Sequence, residues 1–170
     1  MVELCREVLR KAPGSVKGRA LLAAALANAG QQAEATRLAT EVLQDDPEQV
    51  EALTVLGQGL LAQNRPREAI GALQRATELD PKATDAWALL ATTLALQGDP
   101  AAQTACRRAL ELDPGNVQVR FALAGSLLDA GKPGPALDEC RAILKQQPDF
   151  GPAQGLMDHI LRSSVQSPAK

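Results

Sequence analysis

Apolar residues recur along this chain at the i, i+3, i+4, i+7 spacing of a helical face, as in Leu53, Leu56, Gly57 and Leu60. These stretches are also apolar or small on a second side, at Ala52, Val55 and Gly59 and again at Ala86, Leu89 and Thr93. A helix apolar on most sides is contacted on more than one side. Between them lie stretches with one polar side, such as Arg37, Thr40, Glu41 and Gln44, or Thr104, Arg107, Arg108 and Glu111. The alternation predicts helix pairs at about 16–28 with 33–45, 50–62 with 67–79, 84–96 with 100–112 and 117–129 with 134–146. Residues 1–11 match a second helix without its first, and 151–162 a first helix without its second.

Pro13, Pro47, Pro81, Pro114 and Pro148 stand 34, 34, 33 and 34 residues apart, and a fixed period of this size marks a repeat protein. With each Pro as a ruler, columns appear. Leu26, Leu60, Leu94, Leu127 and Leu161 form one, and Leu22, Leu56, Leu90, Leu123 and Met157 another. Small residues fill two more: Ala23, Gly57, Ala91 and Ala124 on the first helices, Ala35, Ala69, Ala102 and Ala136 on the second. Small side chains let two helices approach while the Leu columns fill the space around them. Gly30, Asn64, Gly98 and Gly131 suit the left-handed residue that ends a helix. Pro66, Pro100 and Pro133 suit the first turn of the next, and the missing residue of the 33-spacing falls near Gly98-Asp99-Pro100. Ser15 and Asn116 are N-cap candidates, and Asp46, Asp80 and Asp113, each before a Pro, read as turn residues.

These residues resemble the tetratricopeptide repeat family. Trp87, Leu90, Ala91, Ala102 and Pro114 follow the family's W…LG…A…P phrase, and four registered copies carry the pattern over about residues 1–162. The resemblance implies an all-α fold, a right-handed superhelical solenoid of antiparallel helix pairs. Its parts would be a half-repeat at 1–15, repeats at 16–49, 50–83, 84–116 and 117–150, a capping helix at 151–162 and a tail at 163–170. This chain departs from the family in the Trp column, which reads Arg19, Leu53, Trp87 and Arg120 and suggests a leaner core.

In tetratricopeptide proteins the remaining side of the first helices lines a concave, peptide-receiving groove. Here that side carries Lys17, Ala20, Ala24 and Asn28; Glu51, Thr54, Gln58 and Leu61; Asp85, Ala88, Thr92 and Leu96; Gln118, Phe121, Gly125, Leu128 and Asp129. Leu61, Leu96, Phe121 and Leu128 would be its apolar anchors and Glu51, Asp85 and Asp129 its negative charge. Family members that clamp acidic C-termini need Lys, Arg and Asn there, because a carboxylate is held by charge-assisted donors. Only Lys17 and Asn28 qualify, so an apolar or amphipathic segment, with or without basic residues, is favoured over an acidic C-terminal peptide.

Charge changes the picture little: 18 Lys+Arg against 20 Asp+Glu argues against a nucleic-acid partner, and the 2% aromatic content argues against a β-barrel or sandwich. No apolar run approaches the roughly 20 residues of a membrane span, and MVELCREVLRK lacks the apolar core of a secretory signal. A cytoplasmic location is expected, a periplasmic one if a signal or anchor has been removed. Cys5, Cys106 and Cys140 share one inward column and read as small buried hydrophobes. His159 is the lone His, and no CxxC, HExxH, GxGxxG or Walker pattern occurs. Neither a catalytic set, a cofactor nor a metal site is expected.

The first reading is therefore a non-catalytic protein-interaction scaffold. A second is homo-oligomerisation through residues 1–11, whose Leu4, Val8 and Leu9 would lie uncovered. A third is an accessory domain of a larger enzyme or envelope-assembly protein. The terminal helix would cover the last repeat with Leu156, Met157, Ile160 and Leu161, leaving Asp158, His159 and Arg162 to water.

Overall fold

The computed structural model describes residues 1–166, which form ten α-helices and no strand. They are α1 (Val2–Lys11), α2 (Val16–Asn28), α3 (Gln32–Asp45), α4 (Val50–Ala62), α5 (Pro66–Leu79), α6 (Thr84–Leu96), α7 (Ala102–Leu112), α8 (Val117–Asp129), α9 (Pro133–Gln146) and α10 (Gly151–Gln166). The fold is all-α and built of tetratricopeptide-type helix hairpins. Except at the end of α10, each bound lies within two residues of the expected one.

The punctuation explains why. Each repeat Pro disfavours the α conformation in the residue before it. Accordingly Ala12, Asp46, Asp80, Asp113 and Gln147 have φ between −129° and −139° with ψ between 71° and 99°, and the helices stop there. Asp46, Asp80 and Asp113 then accept the backbone N–H two residues on, closing the turn. Inside each hairpin, Gly30, Asn64, Gly98 and Gly131 have φ of 77°, 57°, 65° and 70°. The following residue donates its N–H back to Leu26, Leu60, Leu94 or Leu127, the paired bonding of a Schellman cap. Ser15 and Asn116 accept from Gly18 N and Val119 N at the starts of α2 and α8.

Pro100 departs from expectation. Pro66 and Pro133 open α5 and α9, but α7 begins only at Ala102, after Pro100. With one residue fewer between Gly98 and the buried Ala102, the first helical turn is lost. Asp99 replaces it, accepting Ala101 N at its side chain and Ala102 N at its carbonyl. At the other end α10 extends past 162 to Gln166, taking in the start of the expected tail; no Gly or Pro occurs between Leu156 and Gln166, and Ser163 Oγ donates to His159 O. The rest of that tail, 167–170, lies outside the described residues.

By density of internal packing the chain divides into two compact units, Met1–Leu90 and Ala91–Lys170, the division falling inside α6. In the first, α2 packs on α3 and α4 around Ala20, Ala23, Leu26, Ala35, Ala39, Val42, Ala52 and Val55. In the second, α8 and α9 pack with α10 around Val117, Ala124, Cys140, Ile143 and Ala153. The small columns of both helix sets are buried throughout.

The departures in the Trp column have a structural role of their own. Trp87 Nε1, Arg120 Nη2 and Gln154 Nε2 each donate to the carbonyl of the repeat Pro six residues earlier, at 3.2, 2.9 and 2.8 Å. Arg19 instead reaches Asp45, and Arg120 also holds Glu139. These members tie first helices to turns and neighbours, while Leu53 is buried in the core.

Candidate protein-interaction groove

Three successive first helices build one groove within Met1–Leu90. Its volume is about 610 Å³, and it is lined by Ala24, Ala27 and Asn28 of α2, Val50 to Gln58 on one face of α4, and Asp80 to Leu89 from the turn before α6 into that helix. Most walls are Ala, Val, Thr and Leu. Its charged groups are Glu51, Asp80 and Asp85, with no Lys or Arg among the lining residues.

Of the residues expected on this face, Ala24, Asn28, Glu51, Thr54, Gln58, Asp85 and Ala88 come together in the groove. Lys17 is exposed and Leu61 half-buried on the same helices, outside the lining. Ala20 is wholly buried in the α2–α3–α4 cluster and is not among the lining residues. Sequence reading missed Asp80 and Ala83, which the period assigns to a turn, and Thr84, the first residue of the expected helix 84–96. Val55 and Leu89, expected only between helices, also reach the groove.

Thr92, Leu96, Gln118, Phe121, Gly125, Leu128 and Asp129 belong to the second unit. Leu96 is 84% exposed, while Thr92, Gly125 and Leu128 are half-buried. Phe121, expected as a free anchor, packs edge-to-face on Phe150 with ring centroids 5.7 Å apart. Asp129 lines a separate small recess with Asp99, Gln103 and Ser126, where Gln103 Nε2 donates to Ser126 O.

Elsewhere, burial pushes the Cys106 thiol up to about 11, and Cys140 moves the same way. Both are buried and neutral, poor nucleophiles at ordinary pH. No cluster of three or more His, Cys, Asp or Glu suited to a metal occurs among the described residues. His159 is exposed on α10, beside Asp158 and Arg162, which are also exposed. No helix of the described residues is long and apolar enough to cross a membrane.

The tetratricopeptide repeat profiles match residues 54–116 and 94–160, together more than half of the chain. The chain belongs to the tetratricopeptide repeat family. Among solved structures it resembles a mutant of MamA, at TM-score 0.79 and 20% identity over 88% of each chain. It also resembles TTC0263, a thermophilic TPR protein in Thermus thermophilus, at TM-score 0.66 and 20% identity over 94% of this chain and 88% of that one. YrrB, a TPR protein with an unusual peptide-binding site, matches at TM-score 0.57 and 18% identity over 91% and 98%. At such identities the likeness is one of fold. No curated protein matches the sequence. Fold and family are those of protein-interaction scaffolds, which are generally non-catalytic.

Proposed function

We propose that this chain is a non-catalytic scaffold whose groove in Met1–Leu90 receives an apolar or amphipathic segment of a partner protein. The single observation that carries this is the groove itself: small side chains of α2, α4 and α6 leave an open floor of mostly Ala, Val and Thr, whose only charged lining groups are carboxylates. Burying apolar surface there supplies the affinity, at roughly 25 cal/mol per Å² before the costs of association. An acidic C-terminal peptide would meet Glu51 and Asp85 without a cationic clamp.

The test is a pair of blocking variants, Ala24→Arg and Gln58→Arg, both at partly exposed helical positions. Peptides selected by display on the intact chain should lose binding to both variants while far-UV circular dichroism is unchanged. Undiminished binding to both would remove this groove as the site.

Self-association is a second reading, favoured by one observation on α1. Leu4 is 60% and Val8 50% exposed, whereas the residues equivalent to Val8 in α3, α5, α7 and α9 are buried: Val42, Ala76, Ala109 and Ile143. Leu9, expected in the same uncovered set, packs instead against the first unit's core. Sedimentation of the chain and of Leu4→Asp decides it: a monomer in both cases at high concentration excludes the reading.

A further inference from the structure

We infer that the segment places one Lys or Arg side chain between Glu51 and Asp85; the inference rests on the groove proposed above.

The charge follows from which carboxylates already have a cation. In this unit Glu3 and Glu34 pair with Arg6, Asp45 with Arg19, Glu41 with Arg37, Glu68 with Arg65, and Glu48 and Glu78 with Arg75. Glu51 and Asp85 form no ion pair among the described residues, and both line the groove. Each stands four residues after its repeat Pro, so they occupy the same register on neighbouring first helices. Lys17 holds that register one helix earlier. The column therefore runs positive, negative, negative, and a cation is best placed on the side away from Lys17. Asp80 already spends one side-chain oxygen on Lys82 N and is the weaker partner.

The probe is a random twelve-residue display library selected on the full chain, followed by fluorescence anisotropy with synthetic labelled peptides. Enriched sequences should share one Lys or Arg, and replacing it by norleucine should weaken binding up to about fivefold, the scale of a partly exposed ion pair. Glu51→Gln with Asp85→Asn should weaken the cationic peptide and abolish its advantage over the norleucine form. Equal binding of the two forms to the wild-type chain, or an advantage that survives in the double variant, overturns the cation. Peptides indifferent to Gln58→Arg, or no enrichment at all, overturn the groove reading and this inference together.

Discussion

A methyl group built on Gly57 would sit 2.6 Å from Leu73 Cγ, closer than the side chain can allow without moving. The equivalent pairs of neighbouring repeats solve the same contact differently: Ala23 with Ala39, Ala91 with Cys106, Ala124 with Cys140. Leu73 is the one bulky member of its column, and Gly57 is the compensation. Gly57→Ala should therefore destabilise by about 1–3 kcal/mol, although Ala is ordinarily the better helix former by up to about 1 kcal/mol. Adding Leu73→Cys should recover part of that loss, giving a coupling readable in a urea-unfolding cycle; simple additivity would refute the compensation. Cys106 permits a second test at this scale. Its thiol ionises near 11 in the fold and near 9 when unfolded, because burial disfavours the thiolate. Keeping it neutral contributes stability that is fully present below pH 9 and is lost as pH rises through 11, on the order of 2 kcal/mol. Cys106→Ala should flatten the fall in stability between pH 8.5 and 10.5 relative to wild type; parallel curves would contradict it. The small columns were legible in the sequence, but the Gly57–Leu73 compensation emerges only when side chains meet across the hairpin.

Helix ends were the most legible elements, since they depend on local chemistry that repeats. A Pro disfavours α conformation in the residue before it, and a Gly or Asn accepts positive φ; among the described residues only glycines, Gly134 before Pro135 and Gly151 before Pro152, stay helical ahead of a Pro inside α9 and α10. Where two such rules collide, the outcome was not legible. Pro100 obeys the helix-start pattern, yet the shortened spacing to Ala102 forces the helix to begin later, because Ala102 and Cys106 stay buried in register, Cys106 Sγ lying 4.0 Å from the Ala91 carbonyl of α6. Inserting one Glu between Ala101 and Ala102 restores the spacing of Pro66 to Ala69. The variant should add most of one turn to the start of α7, visible as slowed amide exchange at the new N-terminal residues, and change stability by less than about 1 kcal/mol. A large loss of stability would mean that the short turn itself is required. The terminal helix shows a different kind of limit. Its Leu161 continues the Leu column but is 44% exposed, while Ile160 and Ala153 are buried. A column tells which residue faces the next helix, and among the described residues no helix follows α10.

At the scale of the whole chain, the period predicted the hairpins, while the groove was only half visible. Periodicity names a face; it does not say which members of that face stand open, how deep Ala20 lies, or that a turn residue such as Asp80 joins the wall. Stability should follow the same nearest-neighbour logic, each helix being held by those beside it. For α1 the consequence is strong. It has no buried residue, and its partly covered Val2, Cys5 and Leu9 touch the first unit's core from one side only. In contrast α2 and α4 each bury six residues. Local opening free energies run from near zero at frayed ends to the global value in the core. A difference of about 3 kcal/mol between α1 and α4 corresponds to a factor on the order of 100 in opening equilibrium. Residue-resolved hydrogen exchange under native conditions should show α1 amides exchanging at least about a hundredfold faster than those of α4, after correction for intrinsic rates. Protection of α1 equal to that of α4 at dilute concentration would show that something covers Leu4 and Val8 in solution. If that protection then fell on further dilution, the cover would be a second copy of the chain; if it did not, the nearest-neighbour account of this end would be wrong.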